Sequence, residues 1–152
     1  MRPPARRRTI VVPLVAVLAL LVLLVPASAA DAASFVAHLR APTHSPKAGK
    51  PWPIKVTAKT RSGKGVRASA YYQFLYNGSV VSTQYPSPSA RPGRCPGHRG
   101  CRTSPYPFRG SFRDPSIVWP KRAVGYPLTF RVVVDAGRRG TKKLDYRVRV
   151  KR

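Results

Sequence analysis

The last 25 residues, Leu128 to Arg152, contain no proline in a chain that carries 17. Within them Leu128, Phe130, Val132 and Val134 alternate with Thr129, Arg131, Val133 and Asp135. Successive side chains of a strand point to opposite faces, so this pattern makes a strand with one face inward. Ala136-Gly137-Arg138-Arg139-Gly140-Thr141 reads as a glycine-bracketed turn, after which Leu144, Tyr146, Val148 and Val150 alternate with Asp145, Arg147, Arg149 and Lys151. The two strands form a hairpin, whose ladder a proline would interrupt.

A second hairpin is signalled by Tyr71 to Tyr76, then Asn77-Gly78, then Ser79 to Ser82. Both central residues of a type I′ turn need positive φ, which asparagine tolerates and glycine adopts freely. Asn77-Gly78-Ser79 also fits the N-glycosylation pattern, but the tight turn accounts for it completely. Upstream, Ile54, Val56 and Ala58 alternate with Lys55, Thr57 and Lys59, so Pro53 to Thr60 is expected to be a strand, with Ser34 to Arg40 the first one. Phe108 to Phe112 and Ser116 to Trp119 are shorter candidates, separated by Asp114-Pro115. No amphipathic helix pattern follows residue 30. The expected fold is therefore all-β, an antiparallel sandwich of about seven strands.

In the order of Pro46 to Val56, Gly63 to Tyr72, Gly125 to Phe130 and the closing strand, the chain resembles the immunoglobulin-like domains of bacterial secreted proteins. The resemblance spans most of residues 35–150 and implies an immunoglobulin-like sandwich acting as a spacer or adhesion module. Antibody-type hallmarks are missing: no cysteine lies on the second or sixth expected strand, and Trp119 is not on a central one.

Residues 1–30 have the make-up of an export signal. Four arginines lie within Met1 to Arg8, an apolar run extends from Thr9 to Pro26, and Ala27-Ser28-Ala29 offers a peptidase small side chains. The expected organisation is a signal-peptide helix at 1–30 and one sandwich domain at 31–152, with an irregular insertion at about 85–107. Pro26 should end the helix and favour cleavage after Ala29 or Ala30; if retained, residues 9–26 are a signal anchor and the chain's membrane contact. Either way the domain is expected to be secreted or associated with the cell envelope.

The formal net charge is +25, from 29 lysines and arginines against four acids, all aspartate. Such a surface attracts polyanions, with a salt-dependent strength. An anionic cell-wall or extracellular polymer is the expected partner. The alternative is an inert spacer or accessory domain that binds another exported protein, its charge reflecting compositional bias. Export argues against a specific nucleic-acid reader, and a membrane-active protein would carry its charge on an amphipathic helix. Alternation places Arg131, Arg147, Arg149 and Lys151 on the solvent face of one sheet, while Lys55 and Lys59 make a similar face on another strand. Arg91, Arg94, Arg99 and Arg102 arm the insertion. Tyr71, Tyr72, Tyr76, Tyr85 and Tyr106 are rings suited to stacking on sugars, although Tyr72 and Tyr76 share the parity of Phe74 and are expected in the core.

Cys95 and Cys101 both lie in the insertion, where an oxidising compartment favours a disulfide. Cys95, His98 and Cys101 would need a fourth ligand and reduced thiols to close a zinc site, so no metal is expected. His38 and His44 invite comparison with copper-binding sandwiches, but the body has no methionine to supply a thioether. No cofactor motif appears. Enzyme chemistry is not expected either: beyond Asp31, the acids are Asp114, Asp135 and Asp145. The last two are expected as neighbours across the hairpin, in ion pairs with the cations around them. No serine stands in a G-x-S-x-G setting.

Overall fold

The computed structural model describes residues 34–152; the expected export segment, 1–30, lies outside these residues. Eight strands follow in chain order: β1 (Val36–Arg40), β2 (Ile54–Lys59), β3 (Arg67–Tyr76), β4 (Ser79–Gln84), β5 (Tyr106–Arg109), β6 (Ser111–Asp114), β7 (Pro127–Asp135) and β8 (Thr141–Arg149). All pair antiparallel, in two sheets. One has the order β1-β2-β6; the other has the order β4-β3-β7-β8, with β5 also on β3.

The inward parity of both sheets supplies one core. Ile54, Val56 and Ala58 of β2 and Phe112 of β6 join Ala70 and Tyr72 of β3, Phe130, Val132 and Val134 of β7 and Val148 of β8. Trp52 and Trp119, both 2 % exposed, are among the largest side chains in it, and neither belongs to a strand. They meet edge to face at 5.5 Å, and Trp52 meets Phe130 at 5.3 Å. Such pairs contribute about 0.5–1.5 kcal/mol each beyond the area they bury.

Both hairpins form as the turn chemistry dictates. Asn77 and Gly78 have φ of 48° and 81°. Two pairs beyond the turn the register slips, because Phe74 opposes Ser82 while Leu75 opposes Val80. Val81 is the extra residue of this bulge. Leu75 is buried, and Tyr76 keeps the inward parity of Phe74, opposite Leu128, but stands 38 % exposed at the sheet's end instead of in the core as expected.

The expected strand at Phe108 to Phe112 is two strands. Gly110, at φ 74°, turns the chain out of the five-stranded sheet and into the three-stranded one. At this corner Ala58 N–H donates to Gly110 O, Gly110 N–H to Val66 O and Val66 N–H to Ala58 O. The backbones approach so closely that a Cβ on Gly65 would lie 2.9 Å from Gly110 Cα. The other short candidate, Ser116 to Trp119, does not become a strand. Val118 makes an isolated bridge to Pro51, and the rest of the segment spans from one sheet to the other.

The insertion is residues 85–105, two residues shorter than expected because Tyr106 and Pro107 belong to β5 and pair with Ala70 and Ser69 of β3. Its two ends are close: Gln84 opposes Tyr72 on β3 and Tyr106 opposes Ala70. β4 and β5 thus lie end to end along one edge of β3, and the insertion leaves and rejoins that edge within one step. Ser87 is buried in it and accepts the Arg102 N–H through Oγ, while Gly93 N–H donates to Ser116 O.

Candidate functional site

Strand pairing carries cations to the outer faces of both sheets. On the five-stranded sheet, Arg131 opposes Asp145, Thr129 opposes Arg147 and Pro127 opposes Arg149, so Arg131, Arg147 and Arg149 share the solvent face as alternation required. The stripe is not uniformly free. Arg131 donates Nε–H and an Nη2–H to the two carboxylate oxygens of Asp145 at 2.6 and 2.9 Å. These hydrogen bonds lower the Asp145 pKa and raise that of Arg131, and Lys143 adds to the effect on Asp145. Lys151 lies past the end of β8, where its backbone bridges to Lys47 and brings a second cation beside it.

The three-stranded sheet carries the more concentrated charge. Arg40 of β1 is opposite Lys55 of β2, and Lys55 is opposite Arg113 of β6. All three are exposed and form one row across the sheet, with Lys59 further along on the same face. The other outward residues of these strands are Val36, His38, Thr57 and Ser111, so among the described residues of these strands no carboxylate shares the face. Like charges directly opposite one another are unfavourable on a sheet. Lys55 and Lys59 were legible as an outward pair, but Arg40 and Arg113 join them only through register.

The insertion's arginines do not act as one group. Arg91, Arg94 and Arg99 are exposed. Arg102 donates to Pro105 O and lies 5.5 Å from the Tyr106 ring centroid, a cation–π contact. Cys95 and Cys101 form the expected disulfide, with Cα atoms 5.5 Å apart. Both sulfurs are taken, so the thiolate arrangement with His98 is not formed; among the described residues no group of three metal-ligating side chains gathers. His44 is not a bare surface histidine: it stacks on Tyr146 at 4.0 Å, and its Nδ1 lies 2.7 Å from Arg147 O.

The acids are spent separately. Asp135 opposes Thr141, four residues along the ladder from the Arg131–Asp145 pair, so Asp135 and Asp145 are not the expected cross-hairpin neighbours. Asp135 accepts the Gly137 N–H and shapes the turn. Asp114 is fully buried and joins the sheets: it accepts the Tyr72 O–H at 2.8 Å and the N–H and O–H of Ser116 at 2.8 and 2.6 Å. Burial, with the Asp114 carboxylate beside it, holds the Tyr72 phenol far above the ordinary tyrosine range, so it remains a donor.

One feature had no sequence signal. A cleft of about 700 Å³ opens at the turn end of β3 and β4, between the five-stranded sheet, the insertion and the segment from Ser116 to Tyr126. Phe74, Tyr76, Tyr85, Trp119 and Tyr126 line it with rings, and Arg94 and Arg122 line it with charge. Three chain segments far apart in sequence meet there, which local patterning does not report.

No family model and no curated protein matches the sequence. Among solved structures, a DUF4466 family protein from Parabacteroides merdae ATCC 43184 is similar at TM-score 0.40 and 12 % identity, over 76 % of this chain. The chain spans 45 % of that protein's length.

Proposed function

We propose that the chain is an exported, non-enzymatic module of the immunoglobulin-like sandwich type, held to an anionic surface polymer through the outer faces of its two sheets. The observation that carries this is the row Arg40–Lys55–Arg113, three exposed cations set directly side by side on strands that, among the described residues, bring no carboxylate to that face. Each opposed pair costs a few tenths of a kcal/mol. A polymer that supplies negative charge along the row offsets that cost, and whatever binds the folded state stabilises it. Of the 29 lysines and arginines, four stand in residues 1–8, leaving 25 against three aspartates in the described residues. Export rests on the pattern of residues 1–30, and the disulfide is compatible with an extracytoplasmic location.

A second partner, another exported protein, is favoured by β4. Its outer edge is unpaired among the described residues, and Val80 and Val81 are 47 % and 60 % exposed. Such an edge can accept an added strand.

Source cells separated into medium, wall and membrane, with the wall washed in rising salt, test the polymer reading. A wall-bound protein of about 120 residues that elutes with salt is expected. Protein free in the medium at low salt overturns it.

A further inference from the structure

We propose that the cleft at the turn end of β3 and β4 binds a short carboxylated saccharide, at a site separate from the cationic outer faces. The first ground is Trp119. It is 2 % exposed, it lines the cleft, and its indole N–H finds no acceptor among the described residues. Buried donors are almost always paired, and an unpaired one is costly. The other tryptophan shows the ordinary solution, since Trp52 Nε1–H donates to Thr43 O at 3.0 Å. The nitrogen itself has no exposed surface in the empty cleft, so a ligand oxygen would supply the missing acceptor only with a small shift of the side chains that cover it.

The second ground is the wall itself. Tyr76 and Tyr126 meet edge to face at 5.7 Å and are 38 % and 51 % exposed, which leaves ring surface for the C–H faces of a sugar. Arg94 and Arg122 stand exposed on the lining, and no aspartate or glutamate does, so the charge selects an anion. Guanidinium groups pair with carboxylates through two parallel hydrogen bonds. A volume of about 700 Å³ fits a short oligosaccharide better than a lone ion. The cleft lies on the inner side of the five-stranded sheet, with Phe74 and Leu128, whereas Arg147 and Arg149 lie on the opposite side.

The two indole N–H signals of the ¹⁵N-labelled protein test this directly, with tetragalacturonate as the probe and maltotetraose and sulfate as controls. The Trp119 signal is expected to move with tetragalacturonate while the Trp52 signal holds. Arg122→Gln, a change at an exposed side chain, is expected to weaken binding about tenfold, the loss of one charged hydrogen-bonding partner. Trp119→Phe keeps an aromatic side chain but removes the donor and some core volume, and Tyr126→Ala removes ring surface; each is expected to weaken binding several-fold, with folding checked by thermal unfolding. A stationary Trp119 signal at saturating probe overturns the proposal, as does an equal response to sulfate or maltotetraose, or full affinity in both Arg122→Gln and Tyr126→Ala. A protein in which Arg40, Lys55, Arg113, Arg147 and Arg149 are all replaced by glutamine separates the two sites. It should keep the Trp119 response even if it no longer holds to the wall; loss of that response would place the probe on the outer faces and overturn the cleft.

Discussion

The two outer faces handle charge in opposite ways. On the five-stranded sheet, Arg131 opposes Asp145 and the pair is joined by two hydrogen bonds, leaving Arg147 and Arg149 as the freer cations. On the three-stranded sheet, Lys55 opposes both Arg40 and Arg113, with no acid on the face among the described residues. One face is partly neutralised within its own ladder. The other has no such partner among the described residues of its ladder. A uniform compositional bias would colour both faces alike, and the difference between them is why we propose the three-stranded sheet as the stronger polyanion surface.

The comparison breaks most severely if the sheets come apart. Asp114 on β6 and Tyr72 on β3 join them through a fully buried contact. Asp114→Ala leaves the Tyr72 hydroxyl and both Ser116 donors without their acceptor, and should cost about 3 kcal/mol in urea unfolding. An unchanged midpoint would mean that the contact does not hold the sheets together.

Next in size is the ranking of the faces. Replacing Arg40, Lys55 and Arg113 by glutamine should reduce affinity for an immobilised polyanion about tenfold at low salt. Arg147→Gln with Arg149→Gln should reduce it less. The reverse order, read from salt-elution profiles, would return the site to the β7–β8 hairpin.

Arg131→Gln should cost no more than about 1 kcal/mol, because the pair is solvent-screened, with the Asp145 side chain 48 % exposed. Its sharper reading is in pH. The Arg131 hydrogen bonds hold the Asp145 carboxyl below its ordinary value. Its contribution to stability is therefore present above the pKa of the unfolded chain and is lost as pH falls through the lower, folded value. Arg131→Gln should return the carboxyl, followed by NMR titration, towards the ordinary aspartate range. No movement would show the pair to be inconsequential.

The smallest effect has the opposite sign. Lys55→Thr, at the middle of the row, should stabilise the free protein by a few tenths of a kcal/mol while weakening polyanion retention, because two like-charge neighbours are relieved. Loss of stability without loss of retention would remove the functional account of the row.

The sequence was most legible where turns are local. Asn77-Gly78 and the proline-free alternation from Leu128 to Val150 specified two hairpins, and β7, β8, β2 and β4 lie close to where their patterns put them. It was least legible where a strand changes sheets. Nothing in Phe108 to Phe112 distinguishes one strand from two except Gly110, whose role depends on the backbone of Gly65 approaching from elsewhere. The core tryptophans were hidden for the same reason, since both come from connections and are buried by packing rather than by alternation. Of the expected site residues, Arg131, Arg147 and Arg149 share a face as parity required, but the partner that ties up Arg131 follows from the register of the β7–β8 ladder.

By itself, the sequence determined the all-β class, the two hairpins and an excess of cations, because period-two alternation, turn residues and charge are properties of short stretches. Tertiary structure decided which cations stand side by side, which tyrosine lies in the core and which at a cleft, and how Trp119 came to be buried with its donor unpaired. Those outcomes depend on register and on contacts between distant segments, and a one-residue difference in pairing would give each of them a different answer.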